Sequence, residues 1–282
     1  YCPQAKLSAI LLFLDLAEAF DFVIREFVMG APQGQESNVS NLLEQLGLLT
    51  ADATELASEI QAHGSFLEMC GVDSKVAKHV VALHTGTWFT VGELQDALLT
   101  QKGGRQGCKL GGLVFNFLYA RALKQLQGRL EVKGLLLSMP FRASGAPWPH
   151  GAAEAEDALS HTVMDTTYVD DECIMLAAST PAALDRHIDI LLDEISAVLR
   201  AFGLTIDWSK DKTEAILLYR GRDAGIHWRL RQTPDGPVIV GPDGLKLHVV
   251  TSYKHVGGTV VGTANYTVEA RARAKSALST WC

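Results

Sequence analysis

Three consecutive acids, Asp170-Asp171-Glu172, stand between two stretches that read as strands. Val163 to Val169 alternates in character, and Cys173-Ile174-Met175-Leu176-Ala177-Ala178 is an apolar run without a polar residue. The pattern predicts a β-hairpin with carboxylates at its tip. At an effective dielectric of about 20, two unit charges about 4 Å apart repel by roughly 4 kcal/mol. A fold that gathers carboxylates in a partly enclosed place therefore holds cations against them. The same residues also fit an ordinary solvated turn, where Asp is common. A fourth acid, Asp15, closes the continuous apolar run Ile10 to Leu14, which reads as a strand buried on both faces. A charged group at the exit of such a strand needs a partner, a hydrogen bond or a metal; capping the following helix is the other role open to it.

A second chemical stretch is Gln101-Lys102-Gly103-Gly104-Arg105-Gln106-Gly107-Cys108. Glycines next to cations allow backbone N–H groups to approach a phosphate. No Gly-Lys-Ser/Thr follows, so it is not a Walker-type loop.

The elements that must position these residues are mostly legible. Leu42, Leu43 and Leu46 form one helical face, Leu56 with Ile60 a second, and Val76, Val80 and Leu83 a third. Gln33 to Ser40 reads as a loop, and Trp88 to Val91 as a strand turning at Gly92-Glu93. Lys109 to Leu126 predicts a helix buried on most sides. Ser138 to Ser160, with Pro140, Pro147 and Pro149, reads as an insertion or mobile loop. Thr180-Pro181 is an N-cap with proline at the first helical position, opening a helix whose face is Leu184, Ile188, Leu191, Ile195, Val198 and Phe202. Gly203 ends it. Short strands are expected at 204–206, 215–219, 226–231, 238–240, 246–251 and 253–256, with Pro-Asp-Gly turns at 234–236 and 242–244 and a helix from Thr267 onward. Strand, helices, hairpin, helix, strand is an α+β order with an antiparallel sheet.

The chain has 282 residues, 48% of them hydrophobic, ample for a large core. No apolar run reaches about 18 residues, so no membrane span or membrane partner is expected. The start, at Tyr1, reads as a segment of a longer product without a signal peptide. Five cysteines show no paired spacing for zinc or disulfides, and reduced, intracellular thiols are expected. His79 and His84 are wrongly spaced for two ligands on one helical face. The net charge of −7 argues against bulk attraction to nucleic acid. Basic residues do cluster locally, between Arg200 and Arg231 and again at Arg271, Arg273 and Lys275.

Five stretches, in order, resemble the palm motifs of reverse transcriptases, most nearly those of non-LTR (LINE-type) retrotransposons and then those of group II introns. Leu12-Phe13-Leu14-Asp15-Leu16-Ala17-Glu18-Ala19-Phe20-Asp21 resembles the first, Phe-x-Asp-Leu-x-Lys-Ala-Phe-Asp. Lys102 to Leu110, continuing to Phe115-Asn116, is similar to Arg-Gly-x-Arg-Gln-Gly-Cys-Pro-Leu. Tyr168-Val169-Asp170-Asp171 resembles the Tyr-x-Asp-Asp hairpin, Gly203-Leu204 through Lys212-Thr213-Glu214 the fourth motif, and Tyr253 to Gly258 the fifth. Glu18, Lys109, Gly112 and Ser209 (or Asp207) depart from the family pattern without removing an acid.

The resemblance implies a right-hand polymerase palm with a ferredoxin-like antiparallel core flanked by helices, fingers largely missing and thumb truncated. Residues 1–219 would be the palm, with 138–160 inserted, 220–262 the strands toward the thumb, and 263–282 the start of a thumb helix. It implies an RNA-directed DNA polymerase, a nucleotidyltransferase joining dNTPs to a DNA primer on an RNA template in the nucleus. The fingers, thumb and endonuclease would come from the rest of the retrotransposon polyprotein. Two Mg²⁺ ions, with Mn²⁺ as a substitute, would be shared by Asp15 and Asp170, with the Leu16 carbonyl as a minor ligand and Asp171 as a ligand or a support. Phe20 would exclude a 2′-hydroxyl, and Arg105, Gln106 and Gly107 would line the nucleotide pocket. Lys212 would meet the phosphates or donate a proton to pyrophosphate. The alternative is a decayed, inactive palm that binds RNA or protein. For the gate, Phe20→Val is expected to raise ribonucleotide incorporation in primer extension; unchanged discrimination would remove Phe20 from that role.

Overall fold

An apolar run as short as Ile10 to Leu14 is stable only where both sides of the strand are covered, and it lies in the middle of a sheet. The computed structural model describes residues 7–17, 25–30, 39–45, 48–63, 65–90, 98–100, 103, 109–142, 158–169, 171–241, 244–262, 267, 269–271 and 273. Strand β1 (Ser8–Leu14) is followed by helices α1 (Arg25–Met29), α2 (Val39–Gln45), α3 (Thr50–His63), α4 (Phe66–Met69) and α5 (Ser74–His84). The ribbon β2 (Trp88–Phe89) and β3 (Leu98–Leu99) precedes α6 (Lys109–Val132). Then come β4 (Leu137–Arg142), β5 (Ala158–Val163), β6 (Asp165–Tyr168), β7 (Asp171–Ala178) and α7 (Pro181–Ala201). Strand β8 (Glu214–Leu218), helix α8 (Ala224–Leu230), and strands β9 (Gln232–Thr233), β10 (Gly236–Val240), β11 (Lys246–Val249), β12 (Ser252–His255) and β13 (Gly258–Val261) complete the order.

The chain forms two compact units, neither continuous in sequence. One comprises Tyr1–Asp15, Gln127–Glu194 and Asp207–Cys282; the other comprises Leu16–Leu126 and Ile195–Ile206. The first holds a sheet in the order β6-β7-β1-β8-β11-β10-β9. Its β8-β1-β7-β6 part is antiparallel throughout and interleaves two βαβ connections. The sheet is mixed, however, and not purely antiparallel. After β8 the chain turns through α8, β9 and β10, so β11 returns parallel to β8, with His248 opposite Glu214.

The central strand has two different faces. Ile10, Leu12 and Leu14 lie on one, with Ile174, Leu176, Ala215 and Leu217, all buried. On the other, Phe13, Cys173 and Ile216 form a cluster against Leu11, Met175, Val250, Tyr253 and Val260. The β12–β13 hairpin covers it, and the Tyr253 ring stacks on Phe13 with centroids 4.2 Å apart.

Several expected elements differ. Residues 226–231 alternate by type, but 226–230 belong to α8, with Arg231 as its C-cap, and not to a strand, because His227 and Arg231 lie one turn apart and both reach Asp185 of α7. Those contacts measure 2.6 and 2.7 Å, and the Tyr219 hydroxyl joins the same carboxylate. Helix α5 buries Ala77, Val80 and His84, while Val76 and Leu83 are exposed. His84 lies on the buried face, with its Nδ1 2.9 Å from the Val80 carbonyl. Helix α6 runs beyond Leu126 to Val132 and buries a stripe from Val114 through Leu118, Ala122 and Leu126 to Leu130; Leu113 is exposed. The ends of the expected 138–160 insertion are a ladder, β4 with β5, and 143–157 lie outside the described residues. Residues 204–206 contribute only an isolated bridge, Leu16 with Ile206. Helix α7 is as expected: Thr180 Oγ1 accepts the Ala183 N–H, the Leu184-to-Phe202 face is buried, and Gly203 has φ +71°.

In the second unit one side chain organises several elements. Arg25 of α1, buried, donates to the carbonyls of Gly103 (2.8 Å), Thr100 (3.2 Å) and His84 and to the hydroxyls of Thr87 (3.0 Å) and Thr100 (2.7 Å). A guanidinium can satisfy so many acceptors because its donors form a rigid planar fork.

Glu172 is the exception in the core. It lies opposite Leu14 on the buried face, fully covered, and burial pushes its carboxyl up from 4.5 to about 8. A raised folded-state value means the native state holds its proton more tightly. The stability that Glu172 contributes is therefore fully present below about pH 4.5 and falls as pH rises toward 8. At roughly 1.4 kcal/mol per pH unit, the ceiling is several kcal/mol. Glu172→Gln is expected to flatten this decline in urea-unfolding midpoints between about pH 5 and 8; a variant with the wild-type slope would assign it to other groups.

Candidate active site

Asp15 leaves the end of β1 one step beyond the last paired residues, Leu14 and Glu172. Asp171 stands at the corresponding step on β7, so the two acids share one end of the sheet. Side chains alternate along a strand. Asp15 and Asp171 therefore follow Phe13 and Cys173 on the face covered by Tyr253, whereas Glu172 follows Ile174 into the opposite, buried face. Asp171, expected to be a ligand or a mere support, is thus the hairpin acid that the described residues bring to the side of Asp15. Asp170 lies outside them.

The hairpin closes tightly, with Tyr168 paired to Asp171. Between them Val169 has φ +60°. A β-branched residue in the left-handed region is a true outlier, costing about 1–3 kcal/mol, and strain of this kind gathers at functional sites.

The turn from Asp207 to Thr213 hangs from the backbone of Asp15. The Asp207 N–H donates to the Asp15 carbonyl at 2.9 Å. Thr213, fully buried, accepts the Asp15 N–H through Oγ1 at 3.1 Å, and that hydroxyl lies 3.3 Å from the Asp15 carbonyl. Inside the turn, Asp207 Oδ1 accepts the Ser209 N–H (3.0 Å) and hydroxyl (2.5 Å), which hold its carboxyl below the usual carboxylate range. Asp211, at φ +67°, donates its N–H to Glu214 Oε1 at 3.1 Å. Lys212 then reaches back, with Nζ 3.2 Å from Asp15 Oδ2. Tyr253 donates its hydroxyl to the Lys212 carbonyl at 3.1 Å.

The electrostatics follow from this crowding. Burial first, then the charges of Asp15, Glu214 and Asp171, push the Tyr253 phenol up, keeping it a donor. Burial, aided by Glu172 and Asp165, pushes the Cys173 thiol up to about 12, so it is no nucleophile.

Asp15 and Asp171 are hard oxygen donors of the kind that suits Mg²⁺, and the Lys212 ammonium already stands where a cation is called for. Among the described residues no group of three or more His, Cys, Asp or Glu side chains is close enough to hold a metal ion. A metal ion at Asp15 and Asp171 would need a further oxygen donor from outside that set. Leu16, buried, belongs to the second unit and bridges Ile206; the Ala17 N–H donates to the Thr205 carbonyl at 2.9 Å there. Phe20, Arg105, Gln106 and Gly107 lie outside the described residues. Gly103, at the start of that last stretch, is buried at φ +94° and tied to Arg25.

Thr213, Tyr253 and Arg25 were not singled out by type or spacing. Thr213 lies inside the Lys-Thr-Glu stretch and Tyr253 opens the fifth, but their partners are remote in sequence; a lone Arg25 carries no signal.

No helix among the described residues is long and apolar enough to cross a membrane. No protein-family model matches the chain, and no curated protein is significantly similar to it.

Removing the Thr213 hydroxyl leaves the Asp15 N–H without its acceptor. Thr213→Val is expected to cost about 1–3 kcal/mol in urea unfolding, with Thr213→Ser close to wild type. Equal midpoints for Val and Ser would show that the hydroxyl does not hold the turn.

Proposed function

We propose that the chain is the palm of an RNA-directed DNA polymerase of the non-LTR retrotransposon type. It would join dNTPs to a primer 3′-hydroxyl on an RNA template. The observation that carries the reading is the strand order β8-β1-β7-β6, which sets Asp15 and Asp171 at one end of the sheet although they are far apart in the chain. A palm is expected to have a ferredoxin-like core, and this interleaved βαβ arrangement supports that reading. The strained Val169 at the hairpin and the Lys212 turn tied to Asp15 support the same reading.

Asp15 and Asp171, with Asp170 from the hairpin tip, are the acids that would hold two Mg²⁺ ions, and the Leu16 carbonyl is a minor donor. When bound, the ions lower the pKa of the attacking hydroxyl and offset charge on the leaving pyrophosphate. Lys212 is within reach of a negative group seated at Asp15. Phe20, Arg105, Gln106 and Gly107 enter from the family resemblance as the sugar gate and the nucleotide pocket. RNA template, DNA primer, dNTPs and the remaining polyprotein domains are the partners, and the nucleus is the compartment of the reaction.

Primer extension on an RNA template, with the chain alone or carried in a longer product, tests the assignment. Asp15→Asn and Asp170→Asn are each expected to abolish Mg²⁺-dependent extension, a loss of about a hundredfold or more, with circular dichroism and RNA binding unchanged. Extension at the wild-type rate by either variant would overturn the metal assignment. Absence of extension in the wild type, with RNA binding intact, would favour the non-catalytic palm.

A further inference from the structure

Lys212 combines a fixed backbone with a loosely held charge. Its N–H donates to the Ser209 carbonyl at 3.2 Å, its carbonyl accepts the Tyr253 hydroxyl at 3.1 Å, and the next residue is the buried Thr213 that grips Asp15. Tyr253 is itself anchored, since its ring lies nearly parallel to Phe13, at 12°. The ammonium at the end of this rigid base is different. Its pair with Asp15 Oδ2 is a single 3.2 Å contact between side chains that are 50% and 34% exposed. An ion pair so open to water is weak and screened by salt. A fixed root with a weakly held head suits exchange and does not suit permanent cross-linking.

We infer that Lys212 is the resident counter-ion of Asp15, competing with a divalent cation for that carboxylate, and that Tyr253 is the positioning residue that keeps it within reach. The identity of the cation rests on the polymerase reading above; the pairing and its anchor do not. Without a cation, Lys212 neutralises one of the acids crowded around Tyr253, so they coexist at the end of the sheet. When a divalent ion arrives, the ammonium is released while its carbonyl stays on the Tyr253 hydroxyl, leaving a mobile positive charge beside the occupied site. Met at 212 keeps much of the side-chain length and removes the competing charge. Phe at 253 keeps the stack on Phe13 and removes only the hydroxyl.

The probe is Mn²⁺ alone, titrated into the chain and read from the electron paramagnetic resonance of the free ion. Lys212→Met is expected to bind Mn²⁺ about twofold to fivefold more tightly than wild type, the modest size that a half-exposed pair allows. Lys212→Arg should match wild type within error, and Asp15→Asn should remove the binding. Affinity in Lys212→Met that is equal to or weaker than wild type overturns the competition. No Asp15-dependent Mn²⁺ binding in either protein sinks the cation reading and the exchange with it. The anchor has its own readout in amide hydrogen exchange: Tyr253→Phe should speed exchange at Lys212 and Thr213 while leaving β1 and β8 at wild-type rates. Unchanged exchange in the turn removes Tyr253 from the positioning role.

Discussion

The pairing of β1 with β7 decides what each of the consecutive hairpin acids can do. With Leu14 opposite Glu172, the strand period of two sends Glu172 to the buried face and Asp171 to the face of Asp15. A slip of β7 by one residue would exchange them, placing Asp171 on the face of Leu12 and Leu14. Carrying Asp171 into that packed interior makes the slip expensive, so the interior fixes the chemistry at its rim. Everything else at the site is arranged around this end of the sheet.

The second constraint is the attachment of the Asp207–Thr213 turn to the backbone of Asp15 rather than to its carboxylate. The Asp207 N–H and the Thr213 hydroxyl bind main-chain atoms, so the Asp15 side chain remains available to charge partners. Hydrogen bonds of this kind contribute about 1 kcal/mol each, but they are directional and partly buried, which fixes geometry better than a surface ion pair does. The Lys212 charge is carried to the site by the turn and is not what holds the turn there. Tyr253 adds a third tie from the β12–β13 hairpin, whose apolar side also closes the Phe13 face.

Legibility in the sequence followed the range of the interactions. The strands at Ile10 to Leu14 and Cys173 to Ala178, and the long helix after Thr180-Pro181, were readable because continuous apolar runs and a 3.6-residue repeat are local signals. The carboxylates at strand ends were readable for the same reason. Thr213 and Tyr253 were not, since a hydroxyl that meets a backbone group from a remote strand leaves no period behind. Helix α8 was misread because Ile-His-Trp-Arg-Leu-Arg alternates by type, while the contest between strand and helix was settled by Asp185 on another element. The mixed pairing of β8 with β11 is hidden likewise, being decided by the path of the chain through α8, β9 and β10. On α5 the polar His84 displaced Leu83 from the buried face, which a count of apolar positions cannot foresee.

Charge is sorted by face, and that sorting lets an acidic rim sit on an apolar sheet. Glu172 and Cys173 are neighbours of Asp171 and could each carry a negative charge. Burial raises both, so near neutral pH Glu172 is mostly a neutral acid and Cys173 a neutral thiol. Were they ionised, two further charges would stand next to Asp171 in the chain and repel it. Keeping Glu172 protonated confines negative charge to the side on which Asp15, Asp171 and Glu214 act on Tyr253 and on which Lys212 answers them, and the neutral Cys173 thiol adds no further charge there. A cation approaching the sheet end therefore meets its attraction from one direction, with the buried face electrically silent.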